Sequence, residues 1–179
     1  MMRNGFRLGG VAMIAILGIF GGCAPIRVAS PVELGPNLGV FEVLAGTPTS
    51  KSGTSSFGET SVQIGSGSIE IDPSVITVTP AEGTKGSINL QETSTLIITV
   101  WIDDVESLAT VCSSDSEYGP FAVELDENFV PVSVTPSTVT LDQATIDLLN
   151  AGEFSLCIEI ESPVTGTIEI ESFTFNLGL

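Results

Sequence analysis

Histidine is absent from this chain of 179 residues, and basic residues are scarce. Five Lys and Arg residues stand against 22 Asp and Glu residues, which gives a formal net charge of −17. Without histidine the chain lacks the usual general base of serine and cysteine hydrolases and the commonest zinc ligand. Without clustered Lys or Arg it lacks the contacts that nucleic-acid phosphates require. We therefore expect a protein that is not an enzyme and does not bind nucleic acid.

The sequence offers few other candidate catalytic or ligand-binding residues. No glycine-rich loop sits between a predicted strand and a helix, where it could hold a phosphate. Lys51 and Lys85 lie in stretches rich in Gly, Ser and Thr, so a buried lysine base is not expected. A pair of carboxylates could hydrolyse a glycoside, but 22 scattered acids make such a pair a chance expectation. One Trp and one Tyr form a poor platform for sugars, and we expect Trp101 to pack beneath a loop.

The amino-terminal stretch has the pattern of an export signal. Arg3 and Arg7 provide a basic start, and Leu8 to Phe20 is an uncharged, apolar run of 13 residues. A helix that crosses a bilayer needs about 20 apolar residues. The run is therefore predicted to direct export and to be removed.

The junction after this run is more specific. The tetrapeptide Phe20-Gly21-Gly22-Cys23 resembles the lipobox of bacterial lipoproteins. This resemblance implies that residues 1–22 are a signal peptide and that Cys23 carries a diacylglycerol thioether as the first mature residue. Ala24 is not the aspartate that favours inner-membrane retention, so the resemblance implies an outer-membrane lipoprotein of the cell envelope. A plain secreted protein with a chance cysteine is the alternative.

Two further cysteines remain once Cys23 is assigned to the lipid. Cys112 and Cys157 form an even pair in a chain predicted to be exported, and exported proteins commonly form disulfides. A bond between them would close a loop of about 46 residues and would stabilise the fold by about 4 kcal/mol. Two free thiols are the alternative.

Residues 23–67 are predicted to form a lipid-anchored, flexible tether. Only Val40 to Leu44 in this region resembles a strand, and Ala45 to Ser56 is almost entirely small or polar. Such a segment buries too little apolar area to offset the entropy of ordering it. Its expected role is to hold the folded part away from the membrane, and a long ordered loop is the alternative.

Residues 68–179 show the period-two alternation of half-buried strands, with turn residues every 8–12 positions. This pattern predicts an all-β, antiparallel sandwich. One helix is predicted over 141–150, with Thr140 and Gln143 as a capping box and Gly152 just past its end. The apolar phase shifts near Glu171 and Ser172, where we expect a bulge or an exposed aromatic face.

Short motifs in this region resemble bacterial immunoglobulin-like domains. Val78-Thr79-Pro80 and Val134-Thr135-Pro136 are similar to their opening strands, and Leu149 to Phe154 is similar to the corner before a late strand. The resemblance implies an immunoglobulin-like or related sandwich. Cys157 departs from that pattern because it is in phase with Glu159 on the predicted outer face. Two small subdomains, one for each Val-Thr-Pro unit, are the alternative.

Two acidic features are candidate cation sites. Oxygen ligands on loops suit calcium, and they are supplied here by Asp103, Asp104, Glu106, Asp115 and Glu117. The second feature is a predicted last hairpin that places Glu159 opposite Glu169. Solvated, screened carboxylates are the alternative for both, and no other cofactor is expected.

These patterns predict an envelope lipoprotein that displays a β-sandwich on a stalk. The membrane is its expected partner, through the anchor at Cys23, and its role is expected to be binding, adhesion or structure. The alternative function is a calcium-dependent or carbohydrate-binding module with an unidentified protein or glycan partner.

Overall fold

The computed structural model describes residues 26–56, 63–83 and 94–179. Within these residues the chain forms twelve β-strands and two α-helices. The strands are β1 (Arg27–Glu33), β2 (Val40–Val43), β3 (Thr49–Ser56), β4 (Ser66–Glu70), β5 (Ile76–Pro80), β6 (Ser94–Asp103), β7 (Glu117–Leu125), β8 (Pro131–Thr135), β9 (Thr138–Thr140), β10 (Glu153–Glu161), β11 (Gly166–Ile170) and β12 (Ser172–Gly178). The helices are α1 (Gly35–Gly39) and α2 (Gln143–Ala151).

The strands pair into three antiparallel sheets. A five-stranded sheet has the order β3-β10-β6-β7-β8, a four-stranded sheet β1-β12-β4-β9, and a three-stranded sheet β2-β11-β5. Apolar side chains from all three sheets meet in one buried core. The predicted all-β, antiparallel sandwich with one short helix between strands is therefore confirmed. The alternative of two subdomains is wrong, because both Val-Thr-Pro strands contribute to this single core.

The centre of the core joins the five-stranded and four-stranded sheets. Phe154 of β10 and Phe175 of β12 are fully buried, and their rings meet edge to face with centroids 6.2 Å apart. The inward row that begins at Phe154 continues through Leu156, Ile158 and Ile160, all without solvent exposure. The alternation read from the sequence thus marks the residues that bind the two layers together.

The predicted tether is wrong for the part of residues 23–67 that the structure describes. Arg27–Glu33 is β1, which pairs with β12 along its whole length, and Thr49–Ser56 is β3, which pairs with β10. β3 contains no apolar residue, so it has no hydrophobic alternation to read. It is ordered by its backbone hydrogen bonds to β10, as an edge strand of the five-stranded sheet. The predicted strand at Val40 to Leu44 is confirmed as β2.

The phase shift near Glu171 has a different cause from the predicted bulge. β11 ends at Ile170 in the three-stranded sheet, and β12 begins at Ser172 in the four-stranded sheet. Glu171 between them donates its N–H to the Val75 carbonyl at 2.9 Å and accepts the Leu34 N–H at 3.0 Å. The chain thus changes sheet at one residue. The aromatic residues that follow lie in the core, because odd-numbered positions face the core in β12, whereas even-numbered positions face it in β11.

Helix α2 is confirmed, but its amino-terminal cap is not the predicted one. Asp142 is the N-cap, and its carboxylate accepts the Thr145 N–H at 2.8 Å. Thr140 ends β9 instead, so the predicted capping box does not form. Gly152 ends the helix in the left-handed conformation, with φ 96°, as predicted.

The predicted pairing of Glu159 with Glu169 is wrong. Glu159 lies in the five-stranded sheet, opposite Ser50 of β3 and Thr99 of β6. Glu169 lies in the three-stranded sheet, opposite Thr77 of β5. β10 and β11 follow each other in sequence but join different layers, so these carboxylates never share a ladder.

Candidate functional site

A loop covers part of the outer face of the five-stranded sheet. We call residues 104–116 the cap; it connects β6 to β7 and contains the 3₁₀ turns Val105–Ser107 and Val111–Ser113. The second turn packs on β6 and β10 and also touches β3. The base of the loop is closed by the Ile102 N–H, which donates to the Ser116 carbonyl at 3.2 Å.

The cap is held in shape by local hydrogen bonds. The Asp104 carboxylate accepts the Ser107 N–H at 2.8 Å and so caps the first turn. The Thr110 hydroxyl donates to the Ser107 carbonyl at 3.2 Å, and the Ser113 hydroxyl donates to the Thr110 carbonyl at 3.0 Å. Short polar side chains that bond to nearby backbone are typical of turns. The Ser- and Asp-rich composition of this loop therefore has a structural purpose.

Beneath the cap lies a small apolar cluster, separate from the main core. It contains Trp101, Val111 and Cys157, with the half-buried Cys112 packed against it. Trp101 of β6 and Cys157 of β10 are directly opposite each other in the antiparallel register. The prediction that Trp101 packs beneath a loop is confirmed, since only 7% of its surface is exposed.

The predicted disulfide between Cys112 and Cys157 is confirmed. Their Cα atoms are 5.2 Å apart, and the bond ties the cap to the middle of the sheet across 45 positions of sequence. Cys157 does lie on the face opposite the main core, as its phase predicts. It is nevertheless fully buried, because the cap covers that part of the face.

Two buried hydroxyl groups on this side of the molecule were not singled out from the sequence. The Oγ atoms of Ser114 and Ser155 are buried, and neither has a hydrogen-bond partner among the residues that the structure describes. Ser155 lies opposite Asp103 on the capped face of the sheet. Neither hydroxyl is bonded to a base, so neither has the activated pair that nucleophilic catalysis needs. The sequence gives no signal for Ser155, because its phase in β10 is that of the predicted outer face.

The five acidic residues predicted as a calcium site surround the cap, and they are Asp103, Asp104, Glu106, Asp115 and Glu117. Two of them already accept backbone hydrogen bonds: Asp103 from the Asp104 N–H and Asp104 from the Ser107 N–H, both at 2.8 Å. All but Asp103 are exposed. Within the described ranges, no three His, Cys, Asp or Glu side chains are grouped so that they could hold a metal ion. The structure therefore places these five residues around one loop, but their side chains do not form a group that could hold a metal ion.

A polar network links helix α2 to strand β7. The Tyr118 hydroxyl and the Thr145 hydroxyl are hydrogen-bonded in the interior, and the Thr145 N–H donates to Asp142. Burial raises the pKa of the Tyr118 phenol. The backbone N–H of Thr145 lowers the pKa of Asp142, because it stabilises the carboxylate. The network positions the helix, and it uses the only tyrosine in the chain.

The predicted lipidation site, Cys23, lies outside the described residues. The described chain begins at Ile26, three positions later, and β1 begins at Arg27. In the part of the chain that is described, no helix is long and apolar enough to cross a membrane.

Comparison with known proteins gives no further guidance, because no family model, curated protein or solved structure matches this chain.

Proposed function

We propose that this protein is a non-catalytic lipoprotein of the bacterial cell envelope, held on the outer membrane by a diacylglycerol group on Cys23. One observation carries the proposal: the lipobox-like Phe20-Gly21-Gly22-Cys23 directly follows a basic start and an apolar run of 13 residues. Acyl chains on one cysteine can hold a soluble body stably on a bilayer.

The disulfide supports export. Structural disulfides persist in oxidising compartments and are rare in the cytosol. The bond between Cys112 and Cys157 joins a fully buried sulfur to the cap, so it belongs to the folded core of this side of the molecule. A protein built around such a bond is suited to the periplasm or the cell surface.

The position of the first strand supports maturation at Cys23. β1 pairs with β12 from Arg27 to Glu33, so the folded body starts almost immediately after the proposed mature amino terminus. All twelve described strands begin at Arg27 or later. Removal of residues 1–22 leaves every described strand intact.

The described side chains favour a binding, adhesion or structural role over catalysis. Four of the five acids around the cap are exposed, Asp103 and Asp104 accept backbone hydrogen bonds, and the buried hydroxyls have no base bonded to them. The acidic sandwich suits a body that is displayed at the membrane. Its partner would meet a surface with few cations, since three basic residues remain against 22 acids after residue 22.

The proposal is tested by expression of the full chain in a Gram-negative host, with Cys23→Ala as the variant. We expect the native protein to fractionate with outer membranes, and its intact mass to show loss of residues 1–22 and gain of acyl chains. The Cys23→Ala variant should carry no acyl mass. A matched Cys112→Ala/Cys157→Ala variant should keep the acyl mass, because it lacks only the disulfide. An unacylated native protein would overturn the proposal.

A further inference from the structure

The distance between the proposed lipid and the folded body is limited by covalent geometry. Cys23 precedes Ile26 by three positions, and three extended residues span at most about 11 Å. The interfacial layer on each side of a bilayer is about 5–8 Å thick, given a hydrocarbon core of about 30 Å and a total of about 40–45 Å. Whatever the backbone does between Cys23 and Ile26, the start of β1 stays close to the headgroups.

The start of β1 belongs to one end of the sandwich, which we call the anchor end. The Ile26 carbonyl accepts the Leu179 N–H at 2.9 Å, and the Gly178 carbonyl accepts the Gly65 N–H at 2.8 Å. Next to these, the Asn150 side chain of α2 bonds to both backbone groups of Ile64, at 2.8 and 3.0 Å. The anchor end therefore consists of the start of β1, the end of β12, the start of β4 and the end of α2.

The side chains nearest the lipid fit an interfacial layer. Ile26 is 67% exposed, more than any other large hydrophobic residue in the described parts of the chain. The exposed Arg27 follows it, and it is one of three cations left in a mature chain with 22 acids. An apolar side chain beside a guanidinium suits the boundary between acyl chains and phosphates.

We infer that the anchor end rests directly on the headgroup layer of a zwitterionic lipid surface, so that the sandwich is held against the membrane without a stalk. This inference rests on the proposed acylation of Cys23. Two exposed acids belong to the helix that contributes to the anchor end: Asp147 lies within α2, and Asp142 is its N-cap. They disfavour an anionic surface, since the anchor end would lie within about one Debye length of it. Zwitterionic lipid therefore matches this end better.

Two labelled variants test the inference in the native, lipidated chain. Ser66→Cys places a fluorophore at the anchor end, and Ser137→Cys places it at the opposite end of the same sheet; both serines are exposed. Ser68 pairs with Thr140 and the Ile71 N–H bonds to Ser137, so the two labels are separated by about 17 Å along β4. Each protein is reconstituted in phosphatidylcholine vesicles that contain a phospholipid with a nitroxide on its headgroup.

We expect at least about threefold stronger quenching at position 66 than at position 137, given the steep distance dependence of contact quenching. Insertion of twelve Gly and Ser residues after Ala24 should remove the difference, because it allows the body to leave the surface. Equal quenching of the two labels on vesicle-bound protein would overturn the inference about the anchor end but would leave the proposed acylation standing. Failure of the acylated preparation to bind vesicles, or absence of acylation, would overturn the proposed function as well.

Discussion

Cys157 of β10 lies directly opposite Trp101 of β6, and its sulfur is bonded to Cys112 of the cap. One covalent bond thus fixes a polar loop over the only tryptophan of the chain. The outer face of a sandwich sheet is normally solvated, with polar residues along it. Here a local apolar cluster replaces water, and the disulfide holds the cap that covers it.

Removal of the disulfide should destabilise the protein strongly. We expect Cys112→Ala/Cys157→Ala to lower the free energy of unfolding by about 4 kcal/mol, because the bond restricts a long loop in the unfolded chain. Urea unfolding, monitored through the fluorescence of Trp101, measures this loss of stability. Trp101 emission should also shift to longer wavelength in the folded variant, since the cap is then untethered. Reduced native protein serves as the control and should match the variant; a change below about 1 kcal/mol would contradict the expectation.

The stability of helix α2 should be sensitive to substitution of its N-cap residue, Asp142. We expect Asp142→Ala to cost about 1 kcal/mol, because the Thr145 N–H loses its acceptor, whereas Asp142→Asn keeps an acceptor and should cost only a few tenths. Thermal or urea unfolding at neutral pH separates the two variants. Equal losses for both would show that the charge, not the hydrogen bond, stabilises the helix.

The environment of Asp142 also predicts that the stability of the fold depends on pH. The pKa of Asp142 is lowered in the folded state by the Thr145 N–H, so the unfolded chain takes up its proton first. This contribution to stability is therefore complete above the unfolded pKa of about 3.9 and is lost as pH falls through the lower folded pKa. Asp142→Asn should flatten that part of the stability curve between about pH 2 and pH 5. If the stability of the variant falls with pH as steeply as that of the native protein, Asp142 is not the group responsible.

Gly166 at the start of β11 should tolerate no side chain. A Cβ there would collide with the Thr79 carbonyl oxygen and lie 2.9 Å from the Pro80 Cα, both of them backbone atoms of β5. We expect Gly166→Ala to cost about 3 kcal/mol through displacement of that strand. The control is Gly65→Ala, whose Cβ would meet only the Gly178 carbonyl oxygen, at 3.8 Å. Similar unfolding midpoints for the two variants would refute the close approach.

Salt should stabilise the protein without preference for calcium. The net charge of −17 is self-repelling, so added ions should raise Tm by screening. The acids around the cap do not form a ligand set, so equal millimolar calcium and magnesium should shift Tm to within about 1 °C of each other. A saturable, calcium-specific rise of about 5 °C or more would contradict this expectation and would indicate a calcium site.

Local patterns by themselves determined much of the fold. The alternation at Phe154, Leu156 and Ile158 predicted a buried row, because successive side chains of a strand point to opposite faces. The helix between strands followed from its apolar stripe and from Gly152. The pairing of Cys112 with Cys157 followed from counting, once Cys23 was set aside as the predicted lipidation site. These features depend on a few neighbouring residues or on composition.

Tertiary structure alone decided which strands share a sheet. β3 is ordered by the backbone of β10, which lies about a hundred positions later, so its own polar residues carry no trace of the pairing. The phase shift at Glu171 was visible in the sequence, but only the two sheets explain it as a change of layer. Cys157 is likewise buried because the cap lies over its part of the outer face. Side-chain alternation encodes a face, whereas the partner of a strand and the cover of a face come from long-range packing, and for that physical reason they appear only in the folded chain.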